Sequence, residues 1–360
     1  MTRFHLRNLW IALGGLALLC RHLASPDVIE SWYARGLFPL IRRGFDLLTG
    51  WLPFAAVYLL AGGMLLWLFF FLKNFSLAKW SDWRQWLRAA HGVLAFCGAV
   101  VFLFLLLWGF NYDRVPLEEQ VGLSPVPLGL DELRREMELA TTEAVAARRA
   151  LDVPEGEVVC SPIPVRNWEP RLRAGLKELL AEWGYPVSGC VRTRMLFPRG
   201  LLLRISTAGV YIPFVGEGHV DPGLHDLQLP FVMVHEMGHG YGFGGEGTCN
   251  FLAWLTCRRS TDPFLRYVGA LYYWRYVAAD YHLADPLCFE ELAAALPEGI
   301  HRDLEAIRQA IDRYPDILPA VRDAAYTAYL HAQGISDGLK NYDRVIMLVH
   351  AWRKQSGEDR

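Results

Sequence analysis

The apolar positions of this chain form long unbroken runs near the N-terminus and short periodic patterns farther along. Two runs, Trp51 to Leu72 and Ala89 to Phe110, contain no Asp, Glu, Lys or Arg. Each has the roughly 20 apolar residues that a helix needs to cross a bilayer. A third run is shorter and ends near Arg21 and His22, whose side chains can extend toward the lipid headgroups. The pattern predicts three transmembrane helices, at about residues 8–24, 51–72 and 89–110.

The charges around these runs indicate a topology. Arg3 and Arg7 precede the first run as they would in a signal peptide, but no small-residue cleavage site follows, which favours a retained helix. Four basic residues between the second and third runs favour a cytoplasmic loop, whereas the arginines within residues 25–50 oppose this orientation. With three spans, residues 111–360 lie outside the cytoplasm. We therefore expect an integral protein of the bacterial inner membrane, with the lipid bilayer as one partner.

Beyond residue 110 the pattern changes period several times, which indicates a mixed α+β domain. Helical spacing covers Asp131 to Arg149 and Glu169 to Trp183. Strand-like alternation follows in three short runs, at 190–197, 201–205 and 209–214, and Pro213 confines the last of them to a sheet edge. The remainder is helical in pattern, at 262–282, 302–314, 319–333 and 341–354. Two regions are thus predicted, a membrane region at 1–110 and a mainly helical domain with a small sheet at 111–360.

Composition argues against nucleic acid as a partner but does not determine whether the cysteines form disulfides. The net charge of -2 implies no basic face, so nucleic acid is not expected as a partner. Five cysteines lie beyond residue 110, and an external location would permit disulfides, with Cys160 and Cys190 as a plausible pair. No two cysteines have the spacing of a zinc knuckle.

The sequence His235-Glu236-Met237-Gly238-His239 is the motif that carries chemistry. On a helix, positions i and i+4 lie one turn apart on the same face, so both imidazoles can reach one zinc ion. Glu236 is close enough to take a proton from a water molecule that the metal activates. The preceding run, Pro230 to Val234, resembles the start of a buried helix, as this chemistry requires. A Zn²⁺ cofactor is therefore expected.

A catalytic zinc needs a third protein ligand and an open position. Glu246 is the leading candidate, because it follows a glycine-rich turn and begins an apolar, helix-compatible run. Asn250 shares its helix face and could hydrogen-bond a ligand. Glu217 and His219 remain alternatives upstream. The metzincin pattern would place a ligand at Gly245, which cannot bind metal, and is disfavoured.

These features predict a membrane-anchored zinc metallopeptidase of zincin-like fold, acting on a peptide or protein of the cell envelope. The residue that stabilises the transition state should be a Tyr or His, and the candidates are Tyr211, His219, Tyr329 and His331. The alternative is a catalytically inactive, zinc-stabilised scaffold or binding protein, against which the presence of Glu236 argues. Intramembrane proteolysis is disfavoured because the motif helix has too few apolar residues to span. The sequence sets neither the substrate nor the oligomeric state.

Several segments together resemble a bacterial membrane family, domain of unknown function 3810. They are residues 209–217, 230–231, 235–239, 250–255 and the closing pattern at 334–346. The resemblance extends over nearly the whole chain and implies a gluzincin-like zinc peptidase, because the family carries the same motif. Two positions depart from the family pattern: Gly240 replaces a usual Gln, and Thr248 replaces an acidic residue. The second departure favours Glu246 as the third ligand.

Overall fold

The computed structural model describes residues 3–73, 83–317 and 344–357, and this part of the chain is mostly helical. It divides into two compact units. The first comprises residues 1–115 and 212–217, and the second comprises residues 116–211 and 218–360. The predicted division after residue 110 lies near the first of these boundaries. Nothing in the apolar pattern indicates that six residues from within the second region group with the first.

The described part of the first unit contains the helices α1 (Arg3–Leu23), α2 (Pro26–Thr49), α3 (Val57–Lys73) and α4 (Trp83–Leu107). The stretch Ile29–Leu37 of α2 is π-helical.

Helices α1 and α4 pack side by side and run parallel. Near their N-termini the Arg7 side chain donates to the Arg88 carbonyl, and beyond their C-termini Arg21 pairs with Asp113. At their middle a Cβ on Gly14 would lie 2.6 Å from the Gly98 carbonyl oxygen. Small residues therefore let the two backbones approach closely, as in pairs of membrane helices.

One helix, α4, is long and apolar enough to cross a membrane among the described residues. The other two predicted spans are not confirmed. α1 passes the same test only together with α2, and the chain turns by 115° between them. α3 begins at Val57 rather than at residue 51, and Pro53 disfavours helical backbone at the preceding Leu52. The 17 described residues of α3 cover about 26 Å of the roughly 30 Å of a bilayer core. The connection at residues 25–50 between the first two predicted spans is helical, since it forms α2.

The described helices of the second unit are α5 (Leu117–Val121), α6 (Leu130–Arg149), α7 (Trp168–Glu182), α8 (Leu229–Gly240), α9 (Glu246–Arg258), α10 (Pro263–Ala284), α11 (Pro286–Ala294), α12 (Glu298–Asp312) and α13 (Arg344–Ser356). The three-stranded sheet has the order β1 (Thr193–Met195), β3 (Glu217–Val220), β2 (Gly209–Ile212). β1 and β3 are parallel, with Thr193 opposite Gly218. β2 lies at an edge, as Pro213 predicts. The mainly helical α+β class is confirmed.

The strands differ from the prediction in three ways. β1 covers only the middle of the run at 190–197, and β3 was not predicted, because Gly218 and His219 interrupt any apolar alternation. The predicted strand at 201–205 is wrong, since Leu203–Ile205 is a 3₁₀ turn. Its physical cause is Asp221, a buried carboxylate that accepts the backbone N–H groups of Gly200, Leu202 and Leu203 and curls the segment around itself.

Helices α8 and α9 form the centre of the second unit's core. Residues 247–257 of α9 are all buried, and so are most residues of α8. Such full burial fixes the positions of both helices, because displacing either would expose apolar surface. The predicted disulfide is wrong, since no cysteine is disulfide-bonded in the described chain, and Cys160 and Cys190 are both exposed. The predicted helix at 319–333 lies outside the described residues.

Candidate metal centre

Helix α8 presents its two histidines to one point. His235 and His239 lie one turn apart, and their Nε2 atoms are 3.1 Å from each other. Pro230 occupies the first turn of the helix, where its missing N–H costs no hydrogen bond. His239 is buried and His235 is partly accessible, so the pair lies at the edge of the core.

Glu246 supplies a third donor from the start of α9. Its carboxylate oxygens lie 3.1 Å from His235 Nε2 and 3.7 Å from His239 Nε2. Among the described residues, these three form the group that could hold a metal ion, with ligand atoms within 4.8 Å of one another. Although burial opposes its charge, the positive charge of His239 and hydrogen bonds from both histidines hold the pKa of Glu246 well below its usual range in the metal-free site. The carboxylate is therefore ionised at neutral pH, as a metal ligand must be.

Both imidazoles are oriented through their other nitrogen. His235 Nδ1 lies 2.7 Å from Asn250 Oδ1, and His239 Nδ1 lies 2.8 Å from the Phe243 carbonyl oxygen. Because these oxygens are acceptors, each Nδ1 carries a proton and donates it, so Nε2 is the nitrogen of each ring that would bind a metal after losing its own proton. Gly242, at a φ of +91°, turns the chain so that the Phe243 carbonyl faces back to the helix.

Glu236 is held beneath the two histidines in a space shaped by glycines. It is 3% exposed, and its Oε2 has no hydrogen-bond partner in the part of the chain that the structure describes. A Cβ on Gly209 would lie 2.5 Å from Glu236 Oε1, and one on Gly218 would lie 2.6 Å from Glu236 Cβ. Burial raises the pKa of Glu236 to about 7, despite the opposing charge of the histidines.

The candidate transition-state residues have different positions. Alternation along β2 places Tyr211 on the same face as Gly209, toward Glu236, and the side chain is buried. Because successive residues of a strand face opposite sides, the His219 side chain of β3 lies on the face of the sheet away from Glu236, whereas Gly218 faces Glu236. Burial and the nearby Arg194 lower the pKa of His219 to about 4, even though the Val210 backbone accepts a hydrogen bond from it. Tyr329 and His331 lie outside the described residues.

The alternative third ligands lie elsewhere. Glu217 is fully buried, and its carboxylate accepts the Ala56 backbone N–H at 2.8 Å within the first unit. Neither Glu217 nor His219 belongs to the metal-binding group found among the described residues. Among the described residues, the group that could hold a metal is therefore two imidazoles and the Glu246 carboxylate.

Sequence reasoning did not find the Phe243 carbonyl, because a backbone acceptor carries no residue signature. It also missed Cys249, whose thiol lies 3.5 Å from both His239 Nδ1 and the Phe243 carbonyl oxygen. The departure at Gly240 has a structural explanation, since a Cβ there would overlap the Val191 side chain. A longer side chain at this position would require Val191 to move.

The fold and site define a mainly helical α+β protein in which two adjacent helices present a histidine–histidine–glutamate group. A family model described as "Protein of unknown function (DUF3810)" matches residues 33–350, and the chain belongs to this family. No curated protein and no solved structure matches the chain.

Proposed function

We propose that this protein is a membrane-anchored zinc metallopeptidase whose ligands are His235, His239 and Glu246. The observation that carries the proposal is the pair of hydrogen bonds at the two Nδ1 atoms. They fix both imidazoles with their Nε2 atoms directed toward the Glu246 carboxylate. Three side chains of metal-binding type, from two adjacent helices, thus meet at one point.

The donor set fits zinc. Two imidazole nitrogens and one carboxylate are a standard catalytic zinc set, which leaves a fourth position open. A closed structural site would use four protein ligands. The buried Glu236 Oε2, which has no partner among the described residues, also fits, because a carboxylate needs such an orientation to reach a water molecule in the site.

Zinc, when bound, would polarise the scissile carbonyl and make a water molecule more acidic. Glu236 would accept a proton from that water and return it to the leaving amine. The burial of Glu236 suits the second step, because burial favours the protonated side chain that must return the proton. Tyr211 is our candidate for stabilising the developing oxyanion, since it shares the face of Gly209.

An extended peptide could bind along β2. This strand lies at the edge of the sheet, and the residue that follows Ile212 is Pro213. Its Gly209 adjoins Glu236, so a segment that pairs with this edge would pass close to the general base. We propose this edge as the site of substrate binding, with envelope peptides or proteins as the substrate class.

The membrane anchor is supported most strongly by α4. Because α1 and α4 run parallel, two spans by these helices would require a return passage between them, which α3 could supply. We propose three spans with residues after α4 on the extracytoplasmic side, in agreement with the basic loop before α4.

The test uses the full-length protein in detergent, as wild type, Glu236→Gln and Glu246→Ala. We expect about one zinc per chain in wild type and Glu236→Gln, and much less in Glu246→Ala. Hydrolysis of a mixed peptide library should occur with wild type alone. Zinc binding by wild type without any hydrolysis would favour the scaffold alternative, and zinc retained by Glu246→Ala would refute the ligand assignment.

A further inference from the structure

Helix α2 carries an apolar stripe that faces solvent. Its exposed apolar side chains lie three to seven residues apart along the helix and the turn after it, except for the adjacent Leu47 and Leu48. Trp32 and Leu47 are each 79% exposed, and Trp51 is 75% exposed. The remaining members of this exposed stripe are Val28, Leu37, Leu40 and Leu48.

The opposite side of α2 is already occupied. Ile29, Tyr33, Phe38 and Phe45 are buried within the first unit. The helix therefore has two apolar faces, and packing within the unit accounts for only one of them. Polar residues such as Ser31 and Arg43 are also exposed, so the solvent-facing side is part apolar and part polar.

Side-chain contacts also fix the position of α2 along the axis of α4. The Tyr33 hydroxyl donates to the Leu106 carbonyl, one residue before α4 ends. Just beyond that end, Arg114 makes a buried bidentate ion pair with Glu30. α2 is thus fixed at the C-terminal end of the candidate span. Because the chain turns by 115° after α1, which is parallel to α4, α2 crosses the direction of both helices, about 25° from perpendicular.

We propose that α2 lies in the bilayer interface, with its exposed stripe inserted among the lipids on the extracytoplasmic side. A helix that crosses the direction of a span at the end of that span lies near the boundary between headgroups and acyl chains. Tryptophans favour this boundary, because an amphipathic ring can be half in lipid and half in water. Trp32 and Trp51 lie near the two ends of the stripe. The partner is therefore the lipid surface itself. This inference depends on α4 crossing the membrane and not on the peptidase proposal.

The test places single spin labels on the full-length protein in phosphatidylcholine nanodiscs, after the exposed native cysteines are changed to serine. Labels at Trp32→Cys, Leu40→Cys and Leu47→Cys report the stripe, and Ser31→Cys and Arg43→Cys are matched polar controls on the same helix. We expect the ratio of oxygen to nickel-chelate accessibility to be several-fold higher at the stripe, at a depth of about 5–10 Å. Equal ratios at all five positions would overturn the proposal.

A second measurement needs no substitution. Wild-type protein is irradiated with a lipid that carries a diazirine near its glycerol backbone, and labelled peptides are mapped by mass spectrometry. Labelling of residues 28–51 is expected. Labelling of α4 alone would refute the interfacial position, and the absence of labelling on both α2 and α4 would refute the membrane insertion on which it depends.

Discussion

The sharpest test of the metal centre is the substitution Asn250→Leu, which removes the acceptor of His235 while preserving size. Asn250 is 2% exposed, and its Nδ2 has no hydrogen-bond partner among the described residues. Burying an unsatisfied amide group costs about 1–3 kcal/mol. Leucine relieves this cost but loses the hydrogen bond to His235 Nδ1, worth about 1 kcal/mol. We expect the two effects to offset, so that the free energy of unfolding of the zinc-free protein changes by about 1 kcal/mol or less.

Zinc affinity should respond differently. Loss of a group that orients a metal-binding histidine weakens affinity by about 10- to 100-fold, which corresponds to about 1.4–2.7 kcal/mol. The assay is competition for zinc with a chromophoric chelator, combined with thermal unfolding of the zinc-free protein. The expected result is an unchanged unfolding temperature of the zinc-free protein together with a weaker affinity for zinc. An affinity within about twofold of wild type would show that Asn250 does not orient the ligand, contrary to the expected loss.

Two variants serve as controls. Asn250→Asp keeps an acceptor next to His235 and should bind zinc at least as tightly as wild type. Thr256→Val removes a second buried polar atom of α9 without a partner among the described residues, but it does not contact the metal group. It should leave zinc affinity unchanged. A loss of affinity in Thr256→Val would mean that α9 as a whole had shifted.

Three further substitutions test other parts of the structure. Gly218→Ala places a Cβ 2.6 Å from Glu236 Cβ, so we expect a loss of about 1–3 kcal/mol in thermal unfolding together with reduced hydrolysis. His219 has a folded-state pKa lowered to about 4, so wild type should lose stability as pH falls from about 6.5 to 4. The loss is on the order of 3 kcal/mol and should disappear from the pH profile of His219→Gln. Asp303→Ala leaves Arg148 as an uncompensated buried charge and should cost about 3–5 kcal/mol in denaturant unfolding, whereas an effect below about 1 kcal/mol would contradict this account.

The site was more accessible to sequence reasoning than the fold around it. The spacing of four between His235 and His239 determines that both lie on one face of their helix. The same spacing between Glu246 and Asn250 places those two residues on one face of the next helix. Those relations are local, so a helix period is enough to predict them. The contact that orients His239 is equally local, because Phe243 lies four residues later, but it could not be predicted, since a backbone carbonyl has no residue identity.

The strands and the membrane region show where periodicity fails. The run at 201–205 alternates like a strand, yet Asp221, nearly twenty residues away, folds it into a turn by accepting its N–H groups. β3 has no apolar alternation because its glycine makes room for Glu236. In α2 the buried and exposed faces are both apolar, so residues 25–50 show no simple amphipathic pattern. In each case a distant partner decides the local structure.

The turn at residues 212–217 has a consequence for how this protein can be divided. Ile212 and Val215 pack with Leu52 and Ala56, and Glu217 is buried against the Ala56 backbone. If the chain were cut after residue 115, this turn would remain on the second unit without its partners in the first. The Glu217 carboxylate and the Ile212 and Val215 side chains would then lose the contacts that bury them. The first unit is built from two separate segments of the chain, so the second unit cannot be expressed or transferred by itself without part of the first. A shorter protein would have to keep the residues around Leu52 and Ala56 that contact this turn, or replace the turn itself.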